Sequence, residues 1–170
     1  FNGLVFNNAF GGSTFAFTTE GGAGATVGAN GITVTDSAAA TVWQMGWPIA
    51  LGAAQTWQIG ANNTVRLDAS LSGSDKLTID GSGTVHFNAE STHTGALEIL
   101  GGTVKVSANN GLGTKDRTVN YHHMLAKYEF SGDITLDAPM YSEDLCESAT
   151  SFMTVKSGSR VTFNGNFGYK

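Results

Sequence analysis

Along much of this chain apolar and polar residues alternate, as in Ile32-Thr-Val34, Ile134-Thr-Leu136 and Val161-Thr-Phe163. A period of two puts apolar side chains on one face of a strand and polar ones on the other. No stretch of helical length carries an apolar stripe at i, i+3, i+4 and i+7, so the pattern predicts an all-β chain. A longer rhythm is superimposed: Val65-Arg-Leu67, Val85-His-Phe87 and Val104-Lys-Val106 recur at about twenty residues, each led by a polar or glycine-rich turn. A second series runs between them in step, as Trp57-Gln-Ile59, Leu77-Thr-Ile79, Leu97-Glu-Ile99 and Val119-Asn-Tyr121. Two interleaved series with one period describe a chain that winds, each repeat being a coil stacked on the last.

In such a solenoid every strand pairs with its equivalent one coil along, about 4.8 Å away, so like stacks on like. Val65, Val85 and Val104 are expected to form one interior ladder, with Leu67, Phe87 and Val106 beside it. The rhythm is clearest over residues 56–121. It is looser before residue 55, where strands are expected around 4–6, 15–17, 32–34 and 49–51. It breaks between 121 and 157, where an inserted loop is expected near 137–151, and returns at 161–163. The whole, residues 1–170, reads as a single β-solenoid domain.

Composition supports frequent short turns. Glycine, at 23 residues, is about twice the usual ~7% share, and there are only two prolines. The net charge of −5 and the scattering of nine Lys and Arg residues argue against a nucleic-acid partner, because a phosphate backbone is held by clustered cations. No Lys or Arg precedes Arg66, so the first third is expected to present a Thr, Gly and Asn surface. The single Cys146 has no partner within the chain for a disulfide and is read as a structural thiol. No apolar run is long enough to span a membrane, so no membrane insertion of this segment is expected. A cysteine-poor chain rich in Thr, Asn and Gly that opens at Phe1 is expected to be a piece of a larger exported protein, extracellular or on a bacterial cell surface.

This order of segments resembles one known family. Gly81-Ser-Gly-Thr-Val-His-Phe-Asn88, Thr92-His-Thr-Gly95, Leu97-Glu-Ile-Leu-Gly-Gly-Thr-Val-Lys-Val106 and Asn109-Asn-Gly-Leu-Gly113 together resemble the autotransporter-associated β-strand repeat. Ile49-Ala-Leu-Gly-Ala-Ala-Gln-Thr-Trp57 before them and Phe130-Ser-Gly-Asp-Ile-Thr-Leu136 after them extend the resemblance over roughly residues 45–165. The resemblance implies a right-handed parallel β-helix in an exported passenger or large surface protein of a Gram-negative-type bacterium. It implies a scaffold that holds an effector part away from the cell, and no catalytic residues. Ser91-Thr-His93 and the region from His122 to Cys146 depart from the family's pattern.

Candidate chemistry is sparse, and each candidate has a plainer reading. Asp75 and Asp80 flank Leu77-Thr-Ile79, with Asp68 one turn earlier; a carboxylate pair in a groove would serve as acid and base in hydrolysis, with Asp68 orienting. The plainer reading is turn carboxylates accepting backbone N–H groups. His122 and His123, with His86 and His93 in neighbouring coils, are candidates for a ligand site, but adjacent strand residues point to opposite faces and no zinc spacing is present. Glu143, Asp144 and Glu147 offer oxygens to Ca²⁺ without EF-hand spacing, and also read as a solvated acidic loop. Trp43 and Trp47, near Pro48, would form a glycan-stacking platform if exposed, whereas Trp57 shares the interior phase of Ile59.

No resident metal, nucleotide or organic cofactor is implied. Two functions from different classes follow. The first is an exported scaffold or adhesive segment contacting host glycoprotein or polysaccharide, with Trp43, Trp47, His122 and His123 as ligand-binding candidates. The second is a secreted hydrolase of glycoprotein or polysaccharide acting through Asp75, Asp80 and Asp68. A third possibility, a carbohydrate-binding module, turns on whether Trp43 and Trp47 are exposed. Exposed coil edges at either end would also permit a homodimer.

Overall fold

A computed structural model describes residues 1–7, 12–19, 22–121, 126–142 and 153–169. The chain winds as a parallel β-solenoid with three faces. Winding starts with β1 (Gly3–Phe6), β2 (Thr14–Phe17) and β3 (Ala25–Val27), one strand per face. It repeats with β4 (Gly31–Val34), β5 (Thr41–Met45) and β6 (Ile49–Leu51), then with β7 (Gln55–Ile59), β8 (Asn63–Leu67) and β9 (Leu71–Ser72). The next two coils carry β10 (Leu77–Gly81) with β11 (Thr84–Phe87), and β12 (Leu97–Ile99) with β13 (Gly102–Val106). Then follow β14 (Val119–Tyr121), β15 (Ala126–Phe130), β16 (Asp133–Leu136), β17 (Met140–Ser142), β18 (Met153–Val155), β19 (Arg160–Phe163) and β20 (Phe167–Tyr169).

Among the described residues one face is an eight-stranded sheet in the order β1-β4-β7-β10-β12-β14-β17-β20, and the next is seven-stranded, β18-β15-β13-β11-β8-β5-β2. The third face is built by β3-β6-β9 and, further along, by β16-β19. Every described strand pairing is parallel, because each described strand pairs with its equivalents in the coils above and below.

The register bears out the expected interior ladder. Val65 pairs with Val85 and Val85 with Val104, and Leu67, Phe87 and Val106 align beside them. All six are at most 2% exposed, so the alternation places one apolar set inside while Arg66, His86 and Lys105 form the matching outer ladder. On the eight-stranded face Leu77, Leu97 and Val119 align as expected. Trp57, however, pairs with Ile79 and not with Leu77, which faces Gln55: the strand register is shifted by two residues, which preserves the inside-outside alternation. The corner after β10 explains the tightness of the turn. Gly81 has φ 99°, and a Cβ there would run into the carbonyl oxygen of Ile59 in the preceding coil.

Three expectations are corrected. The stretch holding Trp43 is regular strand β5, whose residues 41, 43 and 45 are buried in alternation. Coils of about twenty residues hold only centrally: Val85 lies 20 residues beyond Val65, whereas Trp43 lies 28 beyond Phe15 and Tyr128 lies 24 beyond Val104. The region from 121 to 157 is not a general break, since β15, β16 and β17 continue the coils, and residues 137–142 belong to the winding, with Ala138 and Met140 buried. The remainder of the expected loop, residues 143–151, lies outside the described residues.

Phe87→Ala tests the interior ladder. Removing a ring enclosed between Leu67 and Val106 should cost about 3–5 kcal/mol, read as a lower urea midpoint at unchanged slope.

Candidate functional site

Three corners join the three faces, and each of the three candidate carboxylates occupies a different one. Asp80 ends the eight-stranded face at β10, Asp68 follows β8 at the exit of the seven-stranded face, and Asp75 precedes β10 at the end of the third face. Asp75 and Asp80 are thus separated by most of the length of β10, roughly 15 Å at about 3.3 Å per residue. Acid and base of a glycosidic cleavage stand about 5–9.5 Å apart. The solenoid therefore keeps apart the carboxylates that sequence proximity had suggested as a pair.

Asp80 and Asp68 each use the carboxylate locally, whereas Asp75 contributes through its backbone. Asp80 Oδ1 accepts the N–H of Gly81 at 2.7 Å, bracing the glycine corner. The backbone carbonyl of Asp75 accepts Nε2–H of His93 at 2.7 Å. Asp68 Oδ1 accepts Arg66 Nε and Asn88 Nδ2, both at 2.7 Å.

The last contact begins a polar column down the second corner. Asn88 donates to Asp68, which only accepts, so its Oδ1 faces Ser107; the Ser107 hydroxyl donates to it at 2.6 Å. Nε2 of His86 lies 2.8 Å from the same hydroxyl oxygen and, because that hydrogen is committed to Asn88, must donate. Ser107 and His86 sit at the distance of a nucleophile and its base, but the proton runs the wrong way for activation. Burial first, then Arg66 and Lys105 on either side in the outer ladder, hold the His86 pKa below its usual value and keep the imidazole neutral. This column was missed at the level of sequence, although its signal is there: Asp68, Asn88 and Ser107 each follow directly on an interior Val-x-apolar strand. One coil further, Glu129 is held below the usual carboxylate range, chiefly by its hydrogen bond to Lys156 at 2.8 Å and also by Lys105 at 3.4 Å.

The first corner opens into a groove of about 570 Å³ lined by Asp80, Ser82, Thr103 and Lys127 over a floor of glycine backbone. Here the outer column Thr64, Thr84, Thr103 ends in Lys127, an exposed cation where the preceding coils place a hydroxyl. The groove thus offers a carboxylate, an ammonium and two hydroxyls across neighbouring coils.

Trp43 is not a surface platform. It is 5% exposed, donates its indole N–H to Asn63 Oδ1 at 3.0 Å, and stacks at 4.7 Å centroid distance on both Phe6 and Phe15. Trp47 is half-buried and meets Phe17 edge-on at 5.6 Å. Trp57 is fully buried, as its interior phase required. His122, His123, Glu143, Asp144, Cys146 and Glu147 lie outside the described residues, and with them the calcium and histidine-ligand readings. Among the described residues no three His, Cys, Asp or Glu side chains group as a metal site. No described helix is long and apolar enough to cross a membrane. Comparison with known protein families, curated proteins and solved structures finds no match to this chain.

His93 is interior and fully buried. Burial, followed by the charge of Arg117, pushes its pKa down to about 4. An unfolded histidine near 6.5 takes up a proton that folded His93 refuses, so between about pH 6.5 and pH 4 stability should fall as pH falls, by on the order of 3 kcal/mol in total. Urea unfolding across that range should show a steeper acid loss than in His93→Gln. Asn88→Ala, which strips both Asp68 and Ser107 of their shared partner, should cost about 1–3 kcal/mol at neutral pH.

Proposed function

We propose that this chain is a scaffold and adhesive segment of an exported bacterial protein, and that it contacts glycan on host glycoprotein or polysaccharide along the first corner. The observation that carries the reading is the groove spanning Asp80, Ser82, Thr103 and Lys127. Sugar hydroxyls both donate and accept; the Asp80 carboxylate accepts, the Lys127 ammonium donates, and Ser82 and Thr103 do either. Because the groove runs from coil to coil, it suits an extended polymer more than a small enclosed substrate. The resemblance of residues 45–165 to a passenger-type repeat supports the surface location and the scaffold role, and the continuous parallel winding is compatible with both.

A paired-carboxylate hydrolase finds no support in this arrangement, because Asp68, Asp75 and Asp80 face three corners. Incubation with a mucin-type glycoprotein and a polysaccharide panel separates the readings. Binding without a change in product size is expected, and Asp80→Asn with Lys127→Ala should weaken it about tenfold or more, each lost charged hydrogen bond being worth about 1.5–3 kcal/mol. Depolymerisation that survives Asp75→Asn and Asp80→Asn would overturn the adhesive reading in favour of an enzyme with its site elsewhere. No retention of any glycan would leave the scaffold without the adhesion.

A further inference from the structure

The interior of the solenoid is apolar through most coils, but in the segment between β13 and β14 it holds a complete guanidinium. Arg117 is 0% exposed, and its Nε, Nη1 and Nη2 have no hydrogen-bond partner. Two more buried polar atoms without partners, Nδ1 of His93 and the hydroxyl of Thr114, lie on residues that backbone hydrogen bonds join to Arg117. Backbone contacts tie the three residues together: Arg117 N–H donates to the Thr114 carbonyl at 3.1 Å, and Thr114 N–H to the His93 carbonyl at 3.5 Å. Gly113 completes the enclosure. A Cβ there would lie 2.6 Å from Arg117 Cδ, 2.9 Å from its Nη1 and 2.7 Å from the His93 carbonyl, so only glycine leaves the guanidinium its room.

Among the described residues no carboxylate is paired with this guanidinium. Burial pushes the Arg117 pKa down to about 9, which leaves it protonated at neutral pH, and the neighbour whose electrostatics support its charge is Tyr128. His93 is neutral with a pKa of about 4. Its Nε2 donates to the Asp75 carbonyl, so Nδ1 is a neutral acceptor and supplies no negative counter-charge. A buried cation without a counter-charge is strongly unfavourable, and five guanidinium N–H groups left unpaired add to the cost.

We propose that Arg117, with the hydroxyl of Thr114, binds a small monovalent anion of the chloride class inside the solenoid. The anion supplies the missing charge, accepts the guanidinium N–H groups and the Thr114 O–H, and ties the irregular segment between β13 and β14 to the coil that carries His93. Its role is structural: it locks one level of the winding where the interior ladder of aliphatic side chains is interrupted. A water cluster would satisfy the hydrogen bonds but not the charge, which is why the anion is favoured.

Thermal and urea unfolding of the unaltered chain in sodium chloride, with ionic strength held constant by sodium gluconate, tests this. Each tenfold rise in chloride above its dissociation constant should lower the unfolding equilibrium constant about tenfold. Bromide should substitute, and crystals grown in bromide should show an anomalous peak beside Arg117. Arg117→Met should abolish the chloride dependence while remaining folded in gluconate, because the buried charge leaves with the side chain. If that variant does not fold, the bromide peak in the unaltered protein decides. Unfolding that is identical in chloride and gluconate, or bromide crystals with no peak at Arg117, would overturn the proposal in favour of water, or of a carboxylate from elsewhere in a longer chain.

Discussion

Each described strand of this chain finds its ladder partners in the coils directly above and below it, and the rest of the structure follows from that parallel ladder. Coil-to-coil pairing at strand spacing forces equivalent residues into columns. Val65, Val85 and Val104 become one interior column, and Arg66, His86 and Lys105 one exterior column, because each alternates with the other along its strand. The corners must be as regular as the strands, or the ladder loses register. That is why Gly81 takes a positive φ where any side chain would strike the Ile59 carbonyl.

Columns govern what chemistry such a chain offers. Residues that are neighbours in sequence are sent around the perimeter to different corners, while residues one coil apart are brought into contact. Asp75 and Asp80 are parted in this way. Asp68, Asn88 and Ser107, spread over some forty positions, are joined by bonds of 2.6 to 2.7 Å. A surface built of repeating columns presents similar groups at regular intervals. A convergent active site would need residues that break column order. Where the order does break, as at Lys127 outside and Arg117 inside, the chain carries its most individual features.

The interior around Arg117 and His93 violates the rule that a solenoid core is apolar, yet both residues are fully buried. Ser91 is drawn inside with them and is satisfied through the Leu71 carbonyl at 2.9 Å. In this stretch the third face has no regular strand, and its backbone is held by turns and by polar side chains instead. A local exchange of aliphatic packing for hydrogen bonding makes the level sensitive to protons and ions, to which the aliphatic coils on either side are indifferent.

Read alone, the sequence determined the all-β class, the winding, and the identity of the interior ladder, because period-two alternation and a repeating phrase are local properties that parallel stacking amplifies. It placed Trp57 inside correctly, since Trp57 shares the phase of Ile59. It could not place Trp43, whose strand carries no repeat phrase and whose burial depends on Phe6 and Phe15 stacking from the preceding coil. Nor could it fix the two-residue register shift between Trp57 and Leu77, because a shift by two leaves the inside-outside pattern unchanged. The tertiary structure alone decided which polar residues meet. The lengths of the corners determine how far around the perimeter each residue travels, and these set the separation of Asp75 from Asp80, the junction of His86 with Ser107, and the enclosure of Arg117 with no carboxylate partner among the described residues.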